Sequence, residues 1–296
     1  MESTVRHQTN LEQMGNDIVR AAEIADAPYD REIIQRFLTT YADFFSRSPV
    51  TFATNTQPKE RRNLSVRYVD LQVPHDPFQL ALEKGFLSMD DHPIYELMAD
   101  IRSRFRISGY GAHLDAGRGL DKIGTFVVPT PVENALTIPS LPRSIKDYAH
   151  FFARHRLEMI DLLTMDFQHK QVNLYFTVKP RQLTDHDVAD ILNELDFEIP
   201  TWEICEYCSH ATAIYFTFQW NSIRVSRVCF AIPAQTSGLV PAHLHPLLET
   251  YVNKAPFRSG LRRFIYTLTF EYQAHFIKIE NDYTGSMIEL MEQTHG

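Results

Sequence analysis

Strand-like runs come in pairs along this chain, five times over, at 49–54 with 62–72, 106–114 with 121–128, 159–168 with 170–178, 209–220 with 223–232 and 261–270 with 273–281. The pairs recur about every fifty residues, the spacing of a repeated supersecondary unit. Two strands joined by a short turn are antiparallel, so the unit reads α-α-β-β and not β-α-β. Ten antiparallel strands with every helix on one side lose their exposed edges if the sheet closes on itself. The sequence therefore predicts an α+β fold, a ten-stranded antiparallel β-barrel wrapped by helices. A barrel that wide is not filled by its own side chains, and the polar lumen becomes the expected place of function.

The repeat runs through the 296 residues without a Gly/Ser-rich, Pro-rich or single-sign linker, which predicts one domain over 1–296, with 1–47 as N-terminal helices packed outside the barrel. The net charge of −8 argues against a nucleic-acid or anionic-membrane partner. No run of about eighteen apolar residues exists to span a bilayer. The N-terminal MESTVRHQTNLEQMGNDIVR lacks an apolar core, so no secretory leader is expected. Three cysteines, Cys205, Cys208 and Cys229, make no disulfide framework. Together these features point to a cytoplasmic protein, expected to be a monomer.

Helical spacing and capping residues predict helices over 11–25, 30–46, 77–83, 94–104, 144–156, 184–195, 243–253 and 285–292, and one short turn over 200–206. Asp76-Pro77 is a cap followed by a proline at the first helical position, Gly85 ends that helix, and Thr184 with Asp187 resembles a capping box. The strands alternate unusually. Over 169–176, Val172, Leu174 and Phe176 face one way while His169, Gln171, Asn173 and Tyr175 face the other; over 63–69, Leu64, Val66 and Tyr68 oppose Asn63, Ser65 and Arg67. If helices cover the outside, the apolar face must meet them and the polar face must line the lumen. An open sheet with its polar face in solvent is the alternative.

The strings EKGFL (83–87), HPIYELMAD (92–100), MDFQHKQVNLYF (165–176), TFQWNSIRVSRVCFA (217–231) and YVNKAPF (251–257) resemble the soluble ABBA-barrel aromatic prenyltransferases, in their metal-independent microbial branch. The resemblance covers about residues 50–283 and is strongest at QVNLYF. It implies that an allylic diphosphate, dimethylallyl being the expected donor, ionises in the lumen and that an electron-rich, hydroxylated aromatic ring captures the cation. It also implies that Lys122, Arg227 and Lys278, with Asn173, Tyr175 and Tyr215, bind the diphosphate, and that Tyr175 and Tyr215 shield the cation. Some family members hold magnesium with a second-strand aspartate. Here that position reads Ser65, and Arg67 two residues on would supply a fixed charge instead, so no metal and no cofactor is expected. Arg263, of the same inward parity, is a further phosphate-binding expectation.

On the acceptor side the resemblance places Gly124, Ala213, His169 and Asp282 where relatives carry a tyrosine, a serine, a lysine and a tyrosine, suggesting room for a flat ring. Glu280 matches an acceptor-contacting position and would hold a phenol or take its proton, or else pair with Lys278. His169 is the other expected base. Phe52 is a looser expectation for shielding the cation or touching the acceptor, with plain core packing the favoured reading. The competing functions are a non-catalytic barrel carrying an aromatic metabolite and an allylic diphosphate hydrolase or terpene-synthase-like enzyme. Cys205-x-x-Cys208 with Cys229 and His210, and the His243–His245 pair, are weak metal signals expected to be structural.

Overall fold

The computed structural model describes residues 10–72, 76–179 and 182–295, so the first nine residues of the N-terminal stretch lie outside the described residues. Ten strands run β1 Val50–Asn55, β2 Ser65–Asp70, β3 Ile107–Asp115, β4 Gly119–Pro131, β5 Met159–Asp166, β6 Gln171–Thr177, β7 Ala213–Gln219, β8 Arg227–Ala234, β9 Phe264–Glu271 and β10 Ala274–Asp282. Each pairs antiparallel with its neighbours in sequence, and β1 pairs with β10, which closes the barrel. The five expected hairpins are all present. Closure answers the edge problem posed by the alternating pattern, because every strand has two partners.

The helices are α1 Leu11–Ala25, α2 Arg31–Thr40, α3 Ala42–Arg47, α4 Pro77–Glu83, α5 Ile94–Arg104, α6 Val132–Leu136, α7 Ala149–Arg154, α8 Asp185–Glu194, α9 Trp202–Ser209, α10 Pro246–Lys254 and α11 Met287–His295. Their local signals explain several boundaries. Asp76 accepts from the Phe78 N–H and Pro77 opens α4, while Thr184 and Asp187 form a reciprocal capping box on α8. Other boundaries differ from expectation. The helix expected over 30–46 breaks at Tyr41, whose ring packs among Phe37, Phe44 and Tyr68 while its hydroxyl donates to the Pro77 carbonyl. The short turn expected near 200 is a helix of eight residues, α9, which buries Cys205 and Cys208 one turn apart. The helix α6 had no counterpart in the sequence reading.

The core lies between the sheet's outer face and the helices. Phe152 of α7 meets Phe176 of β6 and Phe216 of β7 at ring distances of 4.9 and 5.6 Å, and all three are fully buried. Each such side chain contributes about 1.5–3 kcal/mol by leaving water. Outward apolar packing of this kind commits the alternate residues of every strand to the lumen. That is how a hydrophobic pattern on one face positions a polar site on the other.

Candidate active site

The lumen holds a cavity of about 720 Å³, within the range of small-molecule sites. Its wall is charged toward the β5–β6 turn and apolar toward the other end. Arg67, Lys122, Asn173, Tyr175, Tyr215, Arg227, Lys278 and Glu280 all line it. At the apolar end Val69, Phe126, Leu162 and Ile265 line the wall, and Met287, Leu290 and Met291 of α11 form the floor.

Of the four cations Arg67, Lys122, Arg227 and Lys278, all but one are held by carboxylates. Arg67 donates to Glu280 at 2.7 Å. Arg227 pairs with Glu271 at 2.8 Å, and Arg61 reaches the same carboxylate at 3.2 Å. Lys122 Nζ lies 3.3 Å from Asp121 and 3.2 Å from Asp166. Burial works against the Lys122 ammonium, but the two carboxylates outweigh it and hold the group protonated above the ordinary lysine range. Burial likewise works against the Asp166 carboxylate, yet Lys122 and the hydrogen bonds of His169 bring it below the usual carboxylate range. Lys278 is the exception: it has no ion pair among the described residues. Burial, reinforced by the charges of Lys122 and Arg227, lowers it to about 8.

The pairing of Asp121 with Lys122 depends on a local irregularity. Strands β3 and β4 slip register between His113 and Leu114, leaving Asp121 as the extra residue. A bulge lets consecutive side chains share one face, and both Asp121 and Lys122 line the lumen. Asn173 is fixed by donating to Thr164 Oγ1 at 2.8 Å. Tyr175 and Tyr215, directly opposed on β6 and β7, stack with centroids 4.4 Å apart at 20°. Burial raises both phenols above the ordinary tyrosine range, so they stay neutral. Lys278 Nζ lies 6.0 Å from the Tyr215 ring centre.

Other expected site residues are placed elsewhere. Phe52 faces outward, fully buried, and stacks on Tyr283 at 4.4 Å, so it belongs to the core under the helices. Asp282 has its carboxylate turned to the N–H groups of Gly285, Met287 and Ile288 at 2.9, 2.9 and 3.2 Å, which starts α11 two residues later than expected. Arg263 has the inward parity assigned to it but precedes β9, below the floor, and donates to Glu289 of α11 at 2.8 Å. Gly124 points inward, yet a Cβ there would meet Leu162 Cδ1 and Thr164 Cγ2 at 3.2 Å, so its missing side chain leaves no open volume. Ala213 does line the cavity. His169 stands at the charged end, half exposed, with Nδ1 3.1 Å from Asp166, and that hydrogen bond raises its pKa. Glu280 pairs with Arg67 and not with Lys278.

Sequence reasoning missed Asp121, Asp166, Glu271 and His113. Parity alone could have found His113, since Ala112 and Leu114 are buried outward and His113 lies between them. Asp121 was hidden by the bulge. Asp121, Asp166 and His169 offer ligand atoms within 4.8 Å of one another. The Lys122 ammonium already stands against both carboxylates, so the set is a poor fit for a divalent ion. Cys205 and Cys208 are on the buried face of α9 while Cys229 is on β8 beside Tyr215, His245 caps α10 and His243 pairs with Glu203. Neither weak metal signal forms a ligand set among the described residues.

Comparison with known proteins identifies this architecture. The profile of the aromatic prenyltransferase Orf2 family matches residues 9–295. The chain belongs to that family. This Orf2-family prenyltransferase is 26% identical, over 91% of its length and 92% of the relative's, to the 5,10-dihydrophenazine-1-carboxylate 9-dimethylallyltransferase of Streptomyces anulatus. It is 24% identical to the flaviolin linalyltransferase of Streptomyces virginiae, covering 90% of each chain. It is also 24% identical to the 4-hydroxyphenylpyruvate 3-dimethylallyltransferase of Streptomyces niveus, over 97% of this chain and 89% of that one. The fold matches the 5-dimethylallyl tryptophan synthase of Streptomyces coelicolor, solved with DMASPP and Trp, with a TM-score of 0.63 over 95% and 97% of the two chains at 12% identity. The prenyltransferase is thus an enzyme, a transferase, and not a carrier barrel. No helix among its described residues is long and apolar enough to cross a membrane.

Proposed function

We propose that this prenyltransferase moves a dimethylallyl group from its diphosphate to a hydroxylated aromatic ring inside the lumen, without a divalent metal. The observation that carries this reading is the convergence of Arg67, Lys122, Arg227 and Lys278 from four strands around the stacked Tyr175–Tyr215 pair. Cations fixed where negative charge develops lower the barrier to breaking the allylic C–O bond, the electron pair leaving with the diphosphate oxygen. In place of a metal, the diphosphate would meet guanidinium and ammonium groups already oriented by carboxylates, with Asn173 as a neutral donor. The tyrosine faces would then stand against the allyl cation and keep water from it.

The aromatic ring attacks the cation, and the proton at the attacked carbon must leave. Glu280 lies inside the cavity and is held by Arg67, within the lumen where a phenol would lie. His169 stands at the charged end beside Asp166, which favours its imidazolium and so weakens it as a base. Glu280 is therefore the better-placed acceptor of a phenolic hydrogen bond or of the proton. Relatives are named for a dihydrophenazine, flaviolin and hydroxyphenylpyruvate, which makes fused or phenolic rings the substrate class to test. We assign the enzyme to the cytoplasm, as a monomer with no nucleic-acid or membrane partner.

The decisive assay incubates the enzyme with dimethylallyl diphosphate and a panel of dihydroxynaphthalenes, phenazines and hydroxyphenylpyruvate, with and without excess EDTA. A product heavier by one prenyl group and full turnover in chelator are expected. Loss of activity in EDTA would overturn the metal-free reading, and release of free prenyl alcohol with every acceptor would favour the hydrolase reading. Sedimentation should give the mass of one chain.

A further inference from the structure

At the centre of the charged wall stands His113 on β3. Its register partners are Arg67 on β2 and Lys122 on β4, one on each side, and all three face the cavity. Directly opposed residues of antiparallel strands have Cβ atoms ~4.5–5.5 Å apart, so an anion touching Arg67 and Lys122 must pass the imidazole between them. The ring has no hydrogen-bond partner among the described residues, unlike His169, His155 and His243, each of which meets a carboxylate. Resting on the diphosphate reading above, we propose that His113 is a further diphosphate-binding residue and that the anion enters together with a proton, which a His113 ring nitrogen takes from solvent.

The surroundings supply the reason. Burial lowers the His113 pKa well below the ordinary histidine range, and the charges of Arg67, Lys122 and Lys278 on β2, β4 and β10 push it further down. Asp166 on β5 pulls the other way, but that carboxylate is already engaged by Lys122 and His169. Asp121 is likewise taken up by Lys122 and Glu280 by Arg67. Among cations alone, the neutral ring is favoured. A diphosphate against the same face brings several negative charges within hydrogen-bond reach of the ring, and the balance reverses. Protonation then adds a charged donor for the duration of binding and gives it up once the anion has gone. A histidine suits this where a third lysine between Arg67 and Lys122 would repel both at all times.

Linkage makes the idea measurable, since a group whose pKa rises on binding takes up protons at pH values between the two pKa values. Isothermal titration with dimethylallyl thiolodiphosphate at pH 7, repeated in buffers of different ionisation enthalpy, counts those protons. Lys278, lowered to about 8, is mostly ammonium at that pH and contributes little. Wild type should take up on the order of half to one proton more per ligand than His113→Asn, which keeps a donor but cannot titrate. The affinity advantage of wild type over His113→Asn should grow from near nothing at pH 9 to about tenfold at pH 6. In wild type itself, the His113 ring resonances should shift to the imidazolium position on saturation at pH 7. Equal proton uptake by both proteins, or a ring that stays neutral in the complex, overturns the inference while leaving the diphosphate site intact. No binding of the thiolodiphosphate to wild type would remove the site and the inference together.

Discussion

The two ends of the lumen are built on opposite principles. At the charged end, three of the four cations are already clamped by carboxylates: Arg67 by Glu280, Lys122 by Asp121 and Asp166, Arg227 by Glu271. At the apolar end, Val69, Phe126 and Ile265 cluster with the methionines of α11, and that wall is held by dispersion and exclusion of water. The difference teaches where rigidity is needed. A leaving diphosphate gains most from charges that do not have to reorganise. An aromatic ring or prenyl tail gains from a surface that adjusts, and methionine has the flexible, polarisable side chain for that. Under the proposed function, one barrel would carry a fixed anion grip and a compliant pocket, joined at the Tyr175–Tyr215 stack.

The largest test of that division falls on the charged end. Lys122→Ala or Arg227→Ala should each lower kcat by at least ~100-fold in steady-state assays, as removal of one fixed transition-state donor does; a loss below about tenfold would detach that residue from the leaving group. Lys278 should break the comparison in a graded way, because among those four cations it is the one without a carboxylate clamp among the described residues. With its pKa lowered to about 8, the free enzyme loses this ammonium as pH rises through that value. The kcat/KM profile should therefore fall on its alkaline side near there, and Lys278→Arg, always charged, should move the fall upward. An unchanged alkaline limb in Lys278→Arg would assign it to another group.

Smaller effects belong to the other end. Asp282→Ala removes the acceptor of the Gly285 N–H and of the first two α11 N–H groups, Met287 and Ile288, and should cost about 1–2 kcal/mol by thermal or denaturant unfolding. Its acceptor KM should rise while the diphosphate affinity holds. The floor residue Met291 should give the mildest result: Met291→Ala should change the ratio of kcat/KM between large and small acceptors by a few-fold, with kcat for the best one nearly kept. If Met291→Ala weakened thiolodiphosphate binding as much as Lys122→Ala, the two ends would not be separable.

Much of the site could be traced through strand parity. QVNLYF put Asn173 and Tyr175 on one face and Val172, Leu174 and Phe176 on the other, and the barrel keeps that alternation. Parity failed where it was asked for height as well as direction. Arg263 has the inward parity but sits beneath the floor against Glu289, and Asp282, at the end of β10, turns to cap α11. It failed again where the ladder slips, because the bulge at Asp121 sends two consecutive residues inward. Phe52 takes the favoured core reading and not the looser site one, stacking on Tyr283 outside the sheet.

The order of strands, their pairing with sequence neighbours and the division of each strand into an apolar and a polar face were determined by the chain itself, since side-chain alternation and short turns are local properties. The meeting of Arg67 on β2 with Glu280 on β10, across 213 positions, was decided by closure of the barrel through β1, and that of Arg227 with Glu271, across 44, by the register of β8 on β9. Partners that distant are selected by which strands become adjacent and at what register, and no local pattern carries that information. Lys278 and His113 owe their altered proton affinities to the same cause, because an ordinary lysine and histidine acquire them only when a closed sheet sets other cations beside them in low dielectric.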